Sequence, residues 1–287
     1  MATTDASEAS PRSLAALMVG REVDLSRRRQ GRGEPGDVVL EVAGLSAEGD
    51  RGGAALKDVS LSVRAGEILA VAGVAGNGQR ELAEAITGLR PATSGGVRVA
   101  GRKLRSGHPR SAIRARVAYV PEDRLGTGVA PGLNVASNVV LKSYRTRAVS
   151  LGPLLRLAAI REHAARLIEA YDVKAAGPEV PARQLSGGNL QKVLLAREFS
   201  GEPRVLVAAS PTRGLDVAAI ETVHRFLRRA ADAGVAILLI SEDLDEILAL
   251  ADRVAVMYEG EIVGEAGAGA IGVEEIGLLM AGEREPA

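Results

Sequence analysis

Five consecutive apolar residues, Ile68 to Ala72, run straight into a glycine-rich turn, Gly73 to Gly78, and then into a helical segment, Gln79 to Thr87, stopped by Gly88. An apolar run without alternation needs cover on both faces, which a parallel sheet layered with helices supplies. A glycine just past a last helical turn is a common stop, because it takes the left-handed conformation at little cost. Similar runs return at Val205 to Ala208, Ala236 to Ile240 and Val254 to Tyr258. An amphipathic segment, Val217 to Ala233 with Gly234 as its stop, separates the first two. Strands and helices in alternation predict an α/β fold with a mainly parallel sheet.

Val38 to Val42 and Leu61 to Val63 also read as strands, and short strands are expected at Val97 to Val99 and Val117 to Val120. From Asp123 to Ser200 the pattern turns helical, over Asn134 to Leu141, Arg161 to Tyr171 and Asn189 to Phe199. In the second of these, Ala164, Leu167, Ile168 and Tyr171 share one face. The expected organisation is a disordered N-terminus and linker over 1–37, a core in two parts over 38–122 and 201–265, an inserted helical subdomain over 123–200, and a C-terminal helix and tail over 266–287. Leu14 to Gly20 reads as a short apolar helix ahead of the linker.

Composition excludes several classes of function. There is no cysteine, so disulfides, thiolate zinc sites and thiol nucleophiles are ruled out. His108, His163 and His224 are widely spaced and show no metal-ligand spacing. Thirty-six basic residues balance 36 acidic ones, and no large basic face stands out, which argues against nucleic acid as a partner. Arg27-Arg28-Arg29 with Arg32 reads as a solvated linker, with membrane-surface contact as the lesser alternative. No apolar run approaches a membrane span of about 20 residues. Met1 to Arg12 lacks the hydrophobic region of a signal peptide. A cytoplasmic location is expected, with contact to a membrane protein left open.

Phosphate loops read G-x-x-x-x-G-K-[ST] between a strand and a helix. Gly73, Gly76 and Gly78 stand in that context, but Gln79 and Arg80 come next. The lysine that reaches the terminal phosphates and the hydroxyl that holds Mg²⁺ have no counterparts. Lys57, Lys103, Lys142, Lys174 and Lys192 are not placed to substitute. N–H groups at a helix start still attract phosphate, so weak nucleotide binding stays open. Taken alone, the turn is equally a tight strand-to-helix connection.

Leu185-Ser186-Gly187-Gly188-Asn189-Leu190-Gln191 is far more specific. It opens the helix that runs to Phe199, so Ser186 and the bare backbone of Gly187 and Gly188 offer donors at a positive helix end. A serine cap followed by a glycine turn is the plainer account of the same residues. The segment resembles the signature motif of ATP-binding-cassette (ABC) proteins, and its surroundings are similar to that family position by position. Val205 to Thr212 resembles the second phosphate-site strand and its Asp-Glu-Pro-Thr ending. Ala209 stands where the family has the Asp that holds Mg²⁺, and Ser210 where it has the Glu that polarises the attacking water. Gly214-Leu215-Asp216 resembles the D-loop, and Ile240 to Asp243 the switch strand with Glu242 in place of its histidine. Tyr119 to Arg124 resembles the Q-loop, with Glu122 in place of the glutamine.

The resemblance runs from about Val38 to Gly264. Pro121 to Arg124, Leu185 to Lys192 and Pro211 to Asp216 narrow it to the second cassette of two-cassette bacterial sugar and nucleoside importers, where the phosphate loop is often degenerate. Leu17 to Val23 is similar to the junction after the first cassette, so the chain is expected to be a C-terminal half. The resemblance implies an ABC-type domain: a mainly parallel core sheet, an antiparallel β edge and an inserted helical subdomain. It implies that Gly73, Gly76, Gly78, Gln79 and Arg80 face a weak ATP site of the chain's own. Ser186, Gly187, Gly188, Gln191 and Asp216 would face ATP held by a competent partner cassette, with Mg²⁺ entering only through that partner. No residue is assigned a catalytic or metal-ligating role. The other implied partner is an integral membrane permease, contacting the chain near Glu122 to Leu141 and holding it peripherally at the inner face of the membrane. The family's adenine-stacking ring is missing, since no aromatic residue precedes the phosphate loop. The alternatives are an independently active ATPase, with Glu122 or Glu242 as a replacement base, and a structural remnant.

Overall fold

The computed structural model describes residues 36–283, so the expected linker, Leu14–Gly20 helix and Leu17–Val23 junction lie outside the described residues. β1 (Val38–Glu48) and β2 (Ala54–Arg64) pair antiparallel, and β3 (Ile68–Ala72) leads through the glycine turn into α1 (Gln79–Thr87). β4 (Ser94–Val99) and β5 (Arg102–Lys103) complete a four-stranded sheet in the order β2-β1-β4-β5. The chain passes through α2 (Pro109–Arg114) into β6 (Val117–Val120). A π-type turn (Arg124–Gly128) follows, then α3 (Val135–Val139), the hairpin of β7 (Ser150–Leu151) and β8 (Leu154–Leu155), and α4 (Leu157–Ala170). α5 (Gly187–Phe199) returns to β9 (Val205–Ala209). The chain then continues as α6 (Val217–Asp232), β10 (Ala236–Ser241), α7 (Leu244–Leu250), β11 (Arg253–Tyr258), β12 (Glu261–Gly267) and α8 (Val273–Met280).

The main sheet has the order β12-β11-β3-β10-β9-β6, parallel throughout except for the antiparallel edge strand β12. Its apolar runs are covered twice, as their lack of alternation requires. In β3, Leu69 and Val71 pack toward α1 and the antiparallel sheet, while Ile68, Ala70 and Ala72 pack toward α6, α7 and α8. The segment 123–200 has its own small core, in which Val135, Val139, Ile160, Ala164 and Val193 are buried together. Leu195, two residues past Val193 on α5, belongs instead to the main core, so α5 joins the two.

Several boundaries differ from expectation, for identifiable reasons. β1 runs to Glu48 and β2 starts at Ala54 because irregular pairing around Val42 to Leu45, with Gly44 at φ +58°, hides the alternation. α3 starts one residue after Asn134, whose side chain accepts from Ser137 N (2.8 Å) and caps it, and it ends at Val139, two residues short of Leu141. β12 extends to Gly267, past residue 265. The short elements α2, α7, β5, β7 and β8 were not foreseen, since so few residues show no periodicity, and β12 was missed because its glycines and glutamates leave no apolar run.

Candidate nucleotide pocket and signature face

The C-terminal ends of β3, β9 and β10 open onto a cavity of about 690 Å³. In parallel α/β sheets this is where ligands bind. Gly73, Gly76, Gln79 and Arg80 line it from the loop, Ala209 and Ser210 from the end of β9, Ser241 and Glu242 from the end of β10, and Glu122 from beyond β6. Four segments that the sequence comparison matched one by one therefore meet in one place.

The loop itself is filled from within. Gln79 is buried, and its Nε2 donates to the Val74 carbonyl at 2.9 Å. Asn77 Nδ2 donates to the same oxygen at 3.0 Å. Asn77 is pinned in turn by the β11–β12 turn, whose Glu259 N donates to Asn77 Oδ1 (2.8 Å) and Gly260 N to Asn77 O (2.9 Å). Gly78 is the N-cap of α1, at φ +106°, and no side chain caps that helix end. Donors of the first helical turn thus remain, but no lysine stands among them.

Charge opposes an anion here. Five carboxylates line the cavity (Glu81, Glu84, Glu122, Asp123, Glu242) against two guanidiniums (Arg80, Arg213), a balance of 2 − 5 = −3. Both cations are engaged: Arg80 with Glu84 (2.8 Å) and Asp50 (3.2 Å), and Arg213 with Glu122. Glu122, weighed as a replacement base, is thus an ion-pair partner. Burial, with Glu84 nearby, pushes the Tyr119 phenol up to about 12. The donor set does not fit Mg²⁺, which takes hard oxygen ligands in near-octahedral order. Position 80 carries a guanidinium and position 209 a methyl, and among the described residues no His, Cys, Asp or Glu cluster is placed for a metal ion.

Gly78, which is turned toward Ala55 and Leu56, does not line this cavity, and neither do the five residues expected to face a partner's ATP. Ser186 is the N-cap of α5 but makes no cap hydrogen bond; its Oγ accepts from Asn189 Nδ2 at 2.9 Å. A Cβ at Gly187 would sit 3.8 Å from Leu215 Cδ2, whereas one at Gly188 would sit 3.1 Å from Ala219 Cβ. Gly187 therefore has room, and Gly188 is pressed against α6. Asp216 caps α6 by accepting from Ala219 N (2.9 Å). Gln191 is buried and accepts from Arg124 Nε at 2.8 Å. Sequence reasoning missed Glu81, Glu84 and Arg213 in the cavity and Arg124 on this second face. Only the Arg80–Glu84 spacing, four apart on a helix, was readable.

A glycine loop at the ends of parallel strands, joined to a helical segment that opens on Ser-Gly-Gly, defines a cassette-type nucleotide-binding domain. The chain belongs to the ABC transporter family, which it matches over residues 56–213. It is 45% identical to the glucose import ATP-binding protein TsgD13 of Haloferax volcanii, over 98% of this chain and 51% of that protein. It is 41% identical to the guanosine import ATP-binding protein NupO of Bacillus subtilis, over 99% of this chain and 55% of that one. The chain thus spans about half the length of the curated relatives it matches. Among solved structures, an ATP binding subunit of an ABC transporter has TM-score 0.68 at 21% identity, covering 85% of this chain and 99% of that one. The ATP-binding cassette MJ0796, solved as a dimer in a post-hydrolysis state with ADP and phosphate, has TM-score 0.66 at 21% identity, covering 80% of this chain and 98% of that one. At such identity these two speak for the fold alone. Among the described residues no helix is long and apolar enough to cross a membrane.

Proposed function

We propose that this chain is the signature-bearing cassette of an ABC import system for a sugar or a nucleoside, with a site of its own that does not hydrolyse ATP. The observation that carries the reading is a contrast between two faces: a cavity whose five carboxylates, among the described residues, form no cluster placed for a metal ion, and an uncapped Ser-Gly-Gly helix start outside it. Phosphoryl transfer in this class depends on a lysine, Mg²⁺ and an oriented water. Each charged hydrogen bond lost costs about 1.5–3 kcal/mol, and loss of a general base a further ~10²–10⁴ in rate. Ser186, Gly187 and Gly188 then close on ATP held by a competent partner cassette, either a separate chain or an N-terminal half. Mg²⁺ enters only with that ATP. An integral membrane permease receives the closure through the 123–200 segment, holding the assembly at the inner face of the membrane. The import functions in the relatives' names and their double length support this reading.

The test is ATPase rate for the chain alone and mixed with a cassette that has the lysine, the metal ligands and the glutamate. The chain alone stays at background and the mixture turns over. Gly187→Asp, where a side chain has room, suppresses the mixture, while Gln79→Ala leaves it near wild type. Metal-dependent turnover of about 1 s⁻¹ by the isolated chain, an ordinary enzymatic rate, would overturn the reading.

A further inference from the structure

Arg124 opens the π-type turn after β6 and reaches across to α5. Its Nε donates to Gln191 Oε1 (2.8 Å), and its Nη2 donates to the Arg213 carbonyl. Its Nη1 lies 3.9 Å from where a Cβ on Gly187 would stand. The guanidinium is half-buried, yet none of the neighbouring carboxylates serves it. Asp123 accepts from Leu125 N and Gly126 N, Glu122 pairs with Arg213, and Glu198 pairs with Lys142 and Arg197. Burial alone acts on it, lowering its pKa. A cation drawn from water without a counter-ion is costly until an anion completes it. A second polar group beside it is unfilled: Gln191 is 1% exposed, and its Nε2 has no hydrogen-bond partner. The start of α5, with no side-chain cap, adds N–H donors and a positive helix end.

We propose that Arg124 is the phosphate-binding cation of the signature face, reaching the terminal phosphates of a nucleotide held by a facing cassette. The proposal rests on the reading of that face given above. Arg124 is not among the residues that line the chain's own cavity, and its guanidinium is held on the α5 side through Gln191. A guanidinium offered across an interface neutralises charge on a transferring phosphoryl group without binding a metal.

The experiment is a titration of the full chain with metal-free tripolyphosphate, followed through the backbone amides of Gly187 and Gly188, with those of Gly76 and Gly78 reporting the chain's own loop. Saturable shifts are expected at Gly187 and Gly188. Arg124→Gln should weaken them about tenfold or more, the worth of a charged hydrogen bond. Arg124→Lys, which keeps the charge but not the fork, should retain most of the affinity. No saturable shift in the wild-type chain, or unchanged affinity in Arg124→Gln, would overturn the proposal. Equal loss in both variants would make Arg124 a structural tie and overturn it too. These outcomes remain distinguishable from the partner-ATPase test, which compares turnover of the chain alone with that of the mixture and does not depend on Arg124.

Discussion

The Gln79 side-chain amide donates to the Val74 carbonyl at 2.9 Å, five residues back across the glycine turn. This residue, which follows the last loop glycine and borders the cavity, is therefore tied back into the loop. The bond closes a turn in which Gly76 and Gly78 take positive φ, a conformation that glycine adopts without steric cost.

Replacing five residues together should restore Mg²⁺-dependent ATP binding: Gln79→Lys, Arg80→Thr, Ala209→Asp, Ser210→Glu and Glu242→His. These changes take the cavity balance from −3 to −4 (+1 −1 −1 −1 +1), counted on the same lining residues. Binding should therefore vanish when the metal is chelated. Calorimetric titration with and without chelator checks this, and no binding by a folded variant would implicate the loop backbone.

Gly78→Ala should destabilise the chain by at least about 2 kcal/mol, because positive φ alone costs an L-residue roughly 1–2 kcal/mol. The new methyl would also stand 2.5 Å from the Ala55 carbonyl. Urea unfolding followed by circular dichroism measures the loss. Gly76→Ala, with open space around its Cβ position, should cost less.

Glu198 is 3% exposed and accepts from Lys142 Nζ (2.5 Å), Arg197 Nε (2.8 Å) and Tyr119 N (2.9 Å). It ties the segment after α3 and the end of α5 to β6. Glu198→Ala should lower the unfolding free energy by about 3 kcal/mol or more, since buried cations lose their partner. Removing Lys142 as well should return part of that loss in a double-mutant cycle.

Alkaline pH should weaken the fold through Tyr119. Burial first, then the charge of Glu84, raises its pKa from 10.0 to about 12. The native chain thus holds a proton that the unfolded chain releases. The stability this contributes is complete below pH 10 and is lost as pH rises through about 12, on the order of 3 kcal/mol. Denaturant midpoints should fall across that window, and Tyr119→Phe should flatten the fall.

The buried strands and the signature helix were legible because their signals are local. Ile68 to Ala72, Val205 to Ala208 and Ala236 to Ile240 announce burial on both faces by lacking alternation, and their partners in the sheet need not be known. α1 and its Gly88 stop were readable to the residue for the same reason. Irregular segments were not: β1 and β2 carry register shifts, and α2 and α7 are too short to show a period.

Residue chemistry at each position of the candidate site was likewise written in the sequence by itself, including Gln79, Arg80, Ala209 and Glu242. What only the tertiary structure decided was how those groups sum. Glu84 and Glu122 share one cavity although 38 residues separate them (122 − 84), and Arg124 has neutral hydrogen-bond partners while Glu122 pairs with Arg213. Periodicity acts over neighbouring turns of chain, whereas Coulomb energy and desolvation depend on distance through space. No linear pattern encodes that distance.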